Sequence, residues 1–145
     1  MKFNHAEKGQ SLVELALTLL IILTLLAGAV DFGMAFFSYV ALRDAAQEGA
    51  LYGSLYPTDY GPNCSDGDCI ELRVKQSSTT PVKLDDPANV TISIPSPGTC
   101  RGGTITVAVS YNYRLSMPLI GSILGSTTIP ITARVTDTIL NPKCP

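Results

Sequence analysis

The sequence predicts an α+β fold: a long N-terminal hydrophobic helix, over about residues 11–55, packed on a small antiparallel β-sheet domain. Three observations carry this expectation. The apolar residues are concentrated in one segment, helical signals continue beyond that segment until a proline stops them, and the remainder alternates apolar and polar residues with period two. The bulk composition agrees. Of 145 residues, 46% are hydrophobic and only 15% are charged, against a usual charged share of about 25%, and the mean hydropathy is +0.26.

The helix comes first. From Leu15 to Val30 the chain has no charge, and only Asp31 interrupts the run that continues to Leu42. A bilayer-spanning helix needs about 20 apolar residues, because about 30 Å of hydrocarbon is crossed at a rise of 1.5 Å per residue. The run is long enough. Ser11 is a candidate N-cap, and Tyr56-Pro57 ends the helical pattern. A helix of that length, about 65 Å, exceeds one bilayer. Its second half carries a stripe of Tyr39, Leu42, Ala46, Ala50 and Gly53, with Arg43, Asp44, Gln47 and Glu48 on other positions. That stripe predicts docking on a folded domain. Lys2 and Lys8 precede the apolar run and the long remainder follows it, so the positive-inside bias gives an N-in, C-out membrane protein. A secretory signal peptide cut at Ala27-Gly28-Ala29 is the competing reading. Against it stand Glu14 at the opening of the apolar stretch and the helical pattern that persists past the cut.

Two acids lie within this helix. Charge at the edge of a lipid-facing helix is costly and persists where a partner compensates it. Glu14 is therefore a candidate assembly residue, the alternative being an acid favoured by the helix N-terminus. Asp31 stands about 26 Å further along. It either binds a neighbouring helix or marks the outer membrane boundary. Ala27, Gly28, Ala29, Gly33 and Ala35 allow close helix approach, or weaken the helix locally through the two glycines.

After Pro57 the chain turns to loops and strands. Ile70-Leu72-Val74, Val90-Ile92-Ile94, Ile105 to Tyr113 and Ile129 to Val135 alternate with period two and read as four strands, without an intervening helical crossover. Pro130 makes the last an edge or bulged strand. A unit of about 90 residues benefits from staples. Cys64, Cys69, Cys100 and Cys144 predict two disulfides, with Cys64–Cys69 and Cys100–Cys144 preferred among three connectivities. Zinc fits this spacing poorly. The loop with Asp59, Asn63, Asp66, Asp68 and Glu71 is oxygen-rich but lacks EF-hand spacing, so a solvated turn is the better reading. Asn63-Cys64-Ser65 and Asn89-Val90-Thr91 match glycosylation acceptors and serve as surface markers. The stretch Leu115 to Gly125 is unusually apolar for a connection and implies a contact with the helix, the membrane surface or another subunit.

The residues at the head of the helix carry a family resemblance. Lys8-Gly9-Gln10-Ser11-Leu12-Val13-Glu14, a short basic leader ending in Gly and followed by a helix with Glu at its fifth position, resembles the class III signal of type IV pilins. Asp31-Phe32-Gly33 and Ala45-Ala46-Gln47-Glu48-Gly49-Ala50 are similar to the acid-aromatic-Gly and Ala-rich steps of TadE-like pilins from tight-adherence (Tad, Flp-type) pilus systems. The resemblance covers roughly the first 56 residues and implies a type IV pilin-like architecture. It implies a leader over 1–9 removed by prepilin peptidase between Gly9 and Gln10, a helix over 10–56 that is transmembrane and later filament core, and an exported β-rich domain over 57–145. It further implies inner-membrane pilus assembly machinery as a partner, an extracellular helical homo-oligomer used in attachment, and a Glu14 paired with the new α-amino group of a neighbouring subunit. Gln10 departs from the Phe or Met found at the first mature position of many type IV pilins, and an N-terminal Gln can cyclise and lose that charge.

Other functions find little in the sequence. No basic patch accompanies the net charge of −2, which argues against nucleic acid as a partner. The single His5 lies in the leader, and no G-x-S-x-G, H-E-x-x-H, P-loop or dinucleotide fingerprint is present, so neither an enzyme nor a cofactor is expected. The runners-up to a structural pilin are a minor pilin-like assembly component and an uncleaved membrane-tethered binding module.

Overall fold

The computed structural model describes residues 6–57, 69–95, 100–116, 121 and 125–141, with side chains from residue 9 onward. Helix α1 (Ala6–Leu55) is followed by a short helix α2 (Ile70–Gln76) and three strands, β1 (Val90–Ser93), β2 (Thr104–Arg114) and β3 (Thr128–Thr138). The strands form one antiparallel sheet in the order β1-β2-β3. The expected α+β class, with a long helix on a small antiparallel sheet, is what the structure has.

α1 runs 50 residues, about 75 Å at 1.5 Å per residue. It starts five residues before Ser11, because Ala6, Glu7 and Lys8 are good helix formers and nothing among them breaks the helix. It stops at Leu55, where Pro57 cannot continue it. The last turn is closed from outside: the Leu140 N–H donates to the Ser54 carbonyl at 2.8 Å, and the Ser54 hydroxyl donates to the Leu51 carbonyl at 2.7 Å. These bonds satisfy carbonyls that a helix end leaves without partners.

The buried face of α1 follows Asp31, Ser38, Leu42, Ala45, Ala46, Gly49, Ala50, Gly53 and Ser54, steps of three and four residues that keep one stripe toward the sheet. Tyr39, expected in that stripe, is 40% exposed. The contact is made by small residues instead, since a close approach of helix to sheet leaves no room for a ring. At Gly49 a Cβ would come within 2.4 Å of Val74 Cγ2, and at Gly53 within 2.5 Å of Ile105 Cδ1. Against this stripe pack Ile105, Val107 and Val109 of β2, Ala133 of β3, Ile139, and Ile70 and Val74 of α2, with Val82 and Leu84 closing the core.

One expected strand is a helix. Ile70-Leu72-Val74 reads as period two, yet the segment is α2 and buries Ile70 and Val74, one helical turn apart. Over seven residues the two periods cannot be told apart by apolar positions alone. The charges decide it: Glu71 stands in the first turn and pairs with Lys75 four residues later, with Arg73 and Lys75 in the last turn, an arrangement the helix dipole favours. The other three strands form where the alternation put them, and Pro130 does lie on an edge strand, opposite Asn112. The sheet turns its polar face outward, where Thr106 pairs with Thr136 at 2.8 Å and Ser110 with Thr132 at 2.9 Å.

Candidate membrane and assembly helix

β2 and β3 are 11 residues each, about 35 Å of extended chain. Helix α1 covers the same distance between Asp31 and Ser54. β3 runs beside it in the same sense, with Tyr113 against Asp31 at one end and Leu140 against Ser54 at the other. The sheet thus stops at Asp31. Below it α1 is bare: Leu12, Val13, Leu15, Leu17 and the other large apolar residues through Val30 are exposed. The most apolar window of residues 9–55 has a mean hydropathy of 2.5 and is not buried within the chain, and the helix is long and apolar enough to cross a membrane. Its hydroxyls are already satisfied. Thr18 donates to the Glu14 carbonyl and Thr24 to the Leu20 carbonyl, both at 2.8 Å, so neither presents an unpaired donor to lipid.

Gly9, Gln10, Val13, Glu14 and Leu17 share one exposed surface patch at the foot of α1. Gln10 and Glu14 thus lie one turn apart on one exposed face of α1, whereas the amine expected to pair with Glu14 belongs to a neighbouring subunit. The Gly9–Gln10 peptide bond lies inside a continuous helix. Asp31, by contrast, is 5% exposed, and the Tyr113 hydroxyl donates to its carbonyl at 3.4 Å. The sequence left two readings of Asp31 open. The structure sets it on its own domain, at the level where covered helix gives way to bare helix. Burial raises the Tyr113 phenol above its ordinary pKa, with the charge of Asp31 and the neighbouring Tyr111 adding to the effect. Tyr113 escaped the sequence reading because it lies 82 residues from Asp31. The one signal for it was the Tyr111-Asn112-Tyr113 cluster at the end of an alternating strand.

Of the other candidate residues, Cys69 and Cys100 are each disulfide-bonded. Cys64 and Cys144 lie outside the described residues, as do residues 1–5 of the leader with His5, the oxygen-rich loop through Asp68, Asn63 and most of the apolar 115–125 connection. Asn89 is exposed, and its Nδ2 donates to Asp86 Oδ2 at 2.8 Å. That bond, with the Ala88 N–H, holds the Asp86 carboxyl below its ordinary pKa. Among the described residues no group of three or more His, Cys, Asp or Glu converges as a metal site. Beside α2, the Arg73 guanidinium lies 5.3 Å from the Tyr52 ring centroid and fixes α2 on the flank of α1.

A model of the family described as TadE-like protein matches residues 9–51. This stretch of the chain is TadE-like. The TadE-like segment contains Gly9, Gln10, Glu14 and Asp31 and ends within the docked half of α1. The similarity to TadE-like proteins covers this stretch and not the β-rich remainder. The TadE-like helix is also long and apolar enough to cross a membrane. No curated protein and no solved structure matches the chain.

Proposed function

We propose that this chain is a structural, non-enzymatic pilin subunit: inserted N-in/C-out in the inner membrane, cut between Gly9 and Gln10 by prepilin peptidase, and assembled through α1 into an extracellular filament used for attachment. The observation that carries this reading is the division of α1 at Asp31. A bare helix of about 33 Å, residues 9–30, uncharged from Leu15 to Val30, stands clear of the folded domain. Such a surface is stable in lipid or against copies of itself, and heterologous contacts that do not close build filaments. Glu14 at the foot of the bare helix is the register-setting group, through the α-amino group of Gln10 on the next subunit. No cofactor or metal takes part.

The experiment is the mass of the N-terminus in sheared surface filaments. A chain starting at Gln10 is expected. Glu14→Ala is expected to leave the membrane precursor intact and abolish filaments; normal filaments from that variant would remove Glu14 from the assembly role. The unbroken helix through the Gly9–Gln10 bond favours a second reading, an uncleaved membrane-tethered module, because proteolysis needs local unwinding. Met1 retained in the membrane fraction, with no filaments, supports it. A minor, priming subunit would give the Gln10 start in filaments built mostly of another protein.

A further inference from the structure

Burial of Asp31 against the domain changes what the outside of α1 presents. With that carboxylate covered, no charge faces outward between Glu14 and Arg43. The interval is 28 residues, Leu15 to Leu42, about 42 Å. A bilayer's hydrocarbon core is about 30 Å thick, and about 40–45 Å with its headgroup zones. The uncharged surface therefore matches the whole bilayer and exceeds the core by about eight residues. Placed with Glu14 at the inner edge of the hydrocarbon, α1 reaches the outer edge near Met34, about 20 residues on. Asp31 then lies just below that edge, and Phe36, Phe37 and Val40, exposed on α1, lie in the outer headgroup zone. Phe32, 75% exposed, stands at the boundary.

The sheet cannot remain above this zone, because its end is tied to Asp31 through Tyr113. The residues at that end suit the depth. Ile129, paired with Tyr113, is exposed although it is apolar, and Arg114, paired with Thr128, is the one cation of the last rows, Asn112–Arg114 and Thr128–Pro130. An arginine there can keep its apolar stem low and its guanidinium among phosphates.

We infer that the Tyr113–Arg114 and Thr128–Ile129 corner of the sheet is a second membrane contact, immersed with Phe32, Phe36 and Phe37 in the headgroup zone of the outer leaflet, with Arg114 on lipid phosphate. This rests on insertion of α1 and not on cleavage or filament assembly.

The chain has no Trp, so single tryptophans report depth without background. The full chain is reconstituted at low density in vesicles of phosphatidylcholine and phosphatidylglycerol, with phosphatidylcholine brominated near the headgroup end of its acyl chains. Ile129→Trp and the exposed Thr128→Trp are expected to be quenched to an extent approaching Leu20→Trp, while Thr138→Trp at the opposite end of β3 is not. Ile129→Trp and Thr128→Trp both as unquenched as Thr138→Trp overturn the inference. So does a Thr128→Trp emission that is unquenched at low density and blue-shifts as protein density rises, which assigns the corner to a second copy. Loss of quenching at Leu20→Trp removes the membrane span itself and the inference with it.

Discussion

At the scale of single residues, the close contact between α1 and its domain depends on what is missing from Gly49. A Cβ there meets Val74 Cγ2 at 2.4 Å, so Gly49→Ala is expected to destabilise the fold by about 1–3 kcal/mol, the usual cost of overpacking. Gly28 has nothing within 4 Å, and Gly28→Ala is expected to be tolerated without loss; thermal unfolding of the two variants in detergent distinguishes them. Tyr113→Phe removes a long hydrogen bond, 3.4 Å, and is expected to cost about 0.5 kcal/mol, the low end for such bonds. Its pH dependence is more telling. The folded-state pKa of Tyr113 is raised above 10.0, so the folded form holds its proton more tightly than the unfolded form does. Stability is unaffected below about pH 10 and falls as pH rises through the folded value. Tyr113→Phe is expected to shallow this alkaline loss, measured by denaturant unfolding between pH 9 and 12 or so. Glu14 and Asp31 were legible as singular residues because a charge in an apolar run stands out. Their different fates were not legible, since that depends on a tyrosine distant in sequence.

Elements are held by stripes rather than by single contacts. Leu42 is fully buried at the centre of the α1 stripe, and Leu42→Ala is expected to cost about 2–5 kcal/mol by leaving a cavity. Lys75→Ala breaks only a partly exposed pair with Glu71 and is expected to cost less than about 0.5 kcal/mol; the chemical midpoints of the two variants should differ accordingly. The long elements were legible because their periods persist: α1 over 50 residues, β2 and β3 over 11 each. α2 was not, because seven residues satisfy both periods. The stripe on α1 was placed correctly at Leu42, Ala46, Ala50 and Gly53, and incorrectly at Tyr39. Ser38, Ala45 and Gly49 took part instead, since bulk, not hydropathy, limits a close packing.

For the whole molecule, two lengths coincide. The strands are as long as α1 from Asp31 to Ser54, and the helix left over is as long as a bilayer core. Among the described residues, no part of the core cluster lies before Leu42. A chain beginning at Gly28 is therefore expected to keep its fold and melting temperature while losing membrane association, checked by circular dichroism and gel filtration without detergent. A molten or aggregated product would mean that the bare helix supports the domain.

By itself the sequence determined the long helix, its exit at Pro57, the antiparallel strands and the TadE-like head, because each is written in local periodicity or in adjacent residues. Only the tertiary structure decided where the helix passes from solvent-bare to domain-covered, that Asp31 faces its own sheet, and that α2 is helical. Those outcomes depend on strand length measured against helix rise and on side chains 82 positions apart, distances that folding sets and local spacing does not.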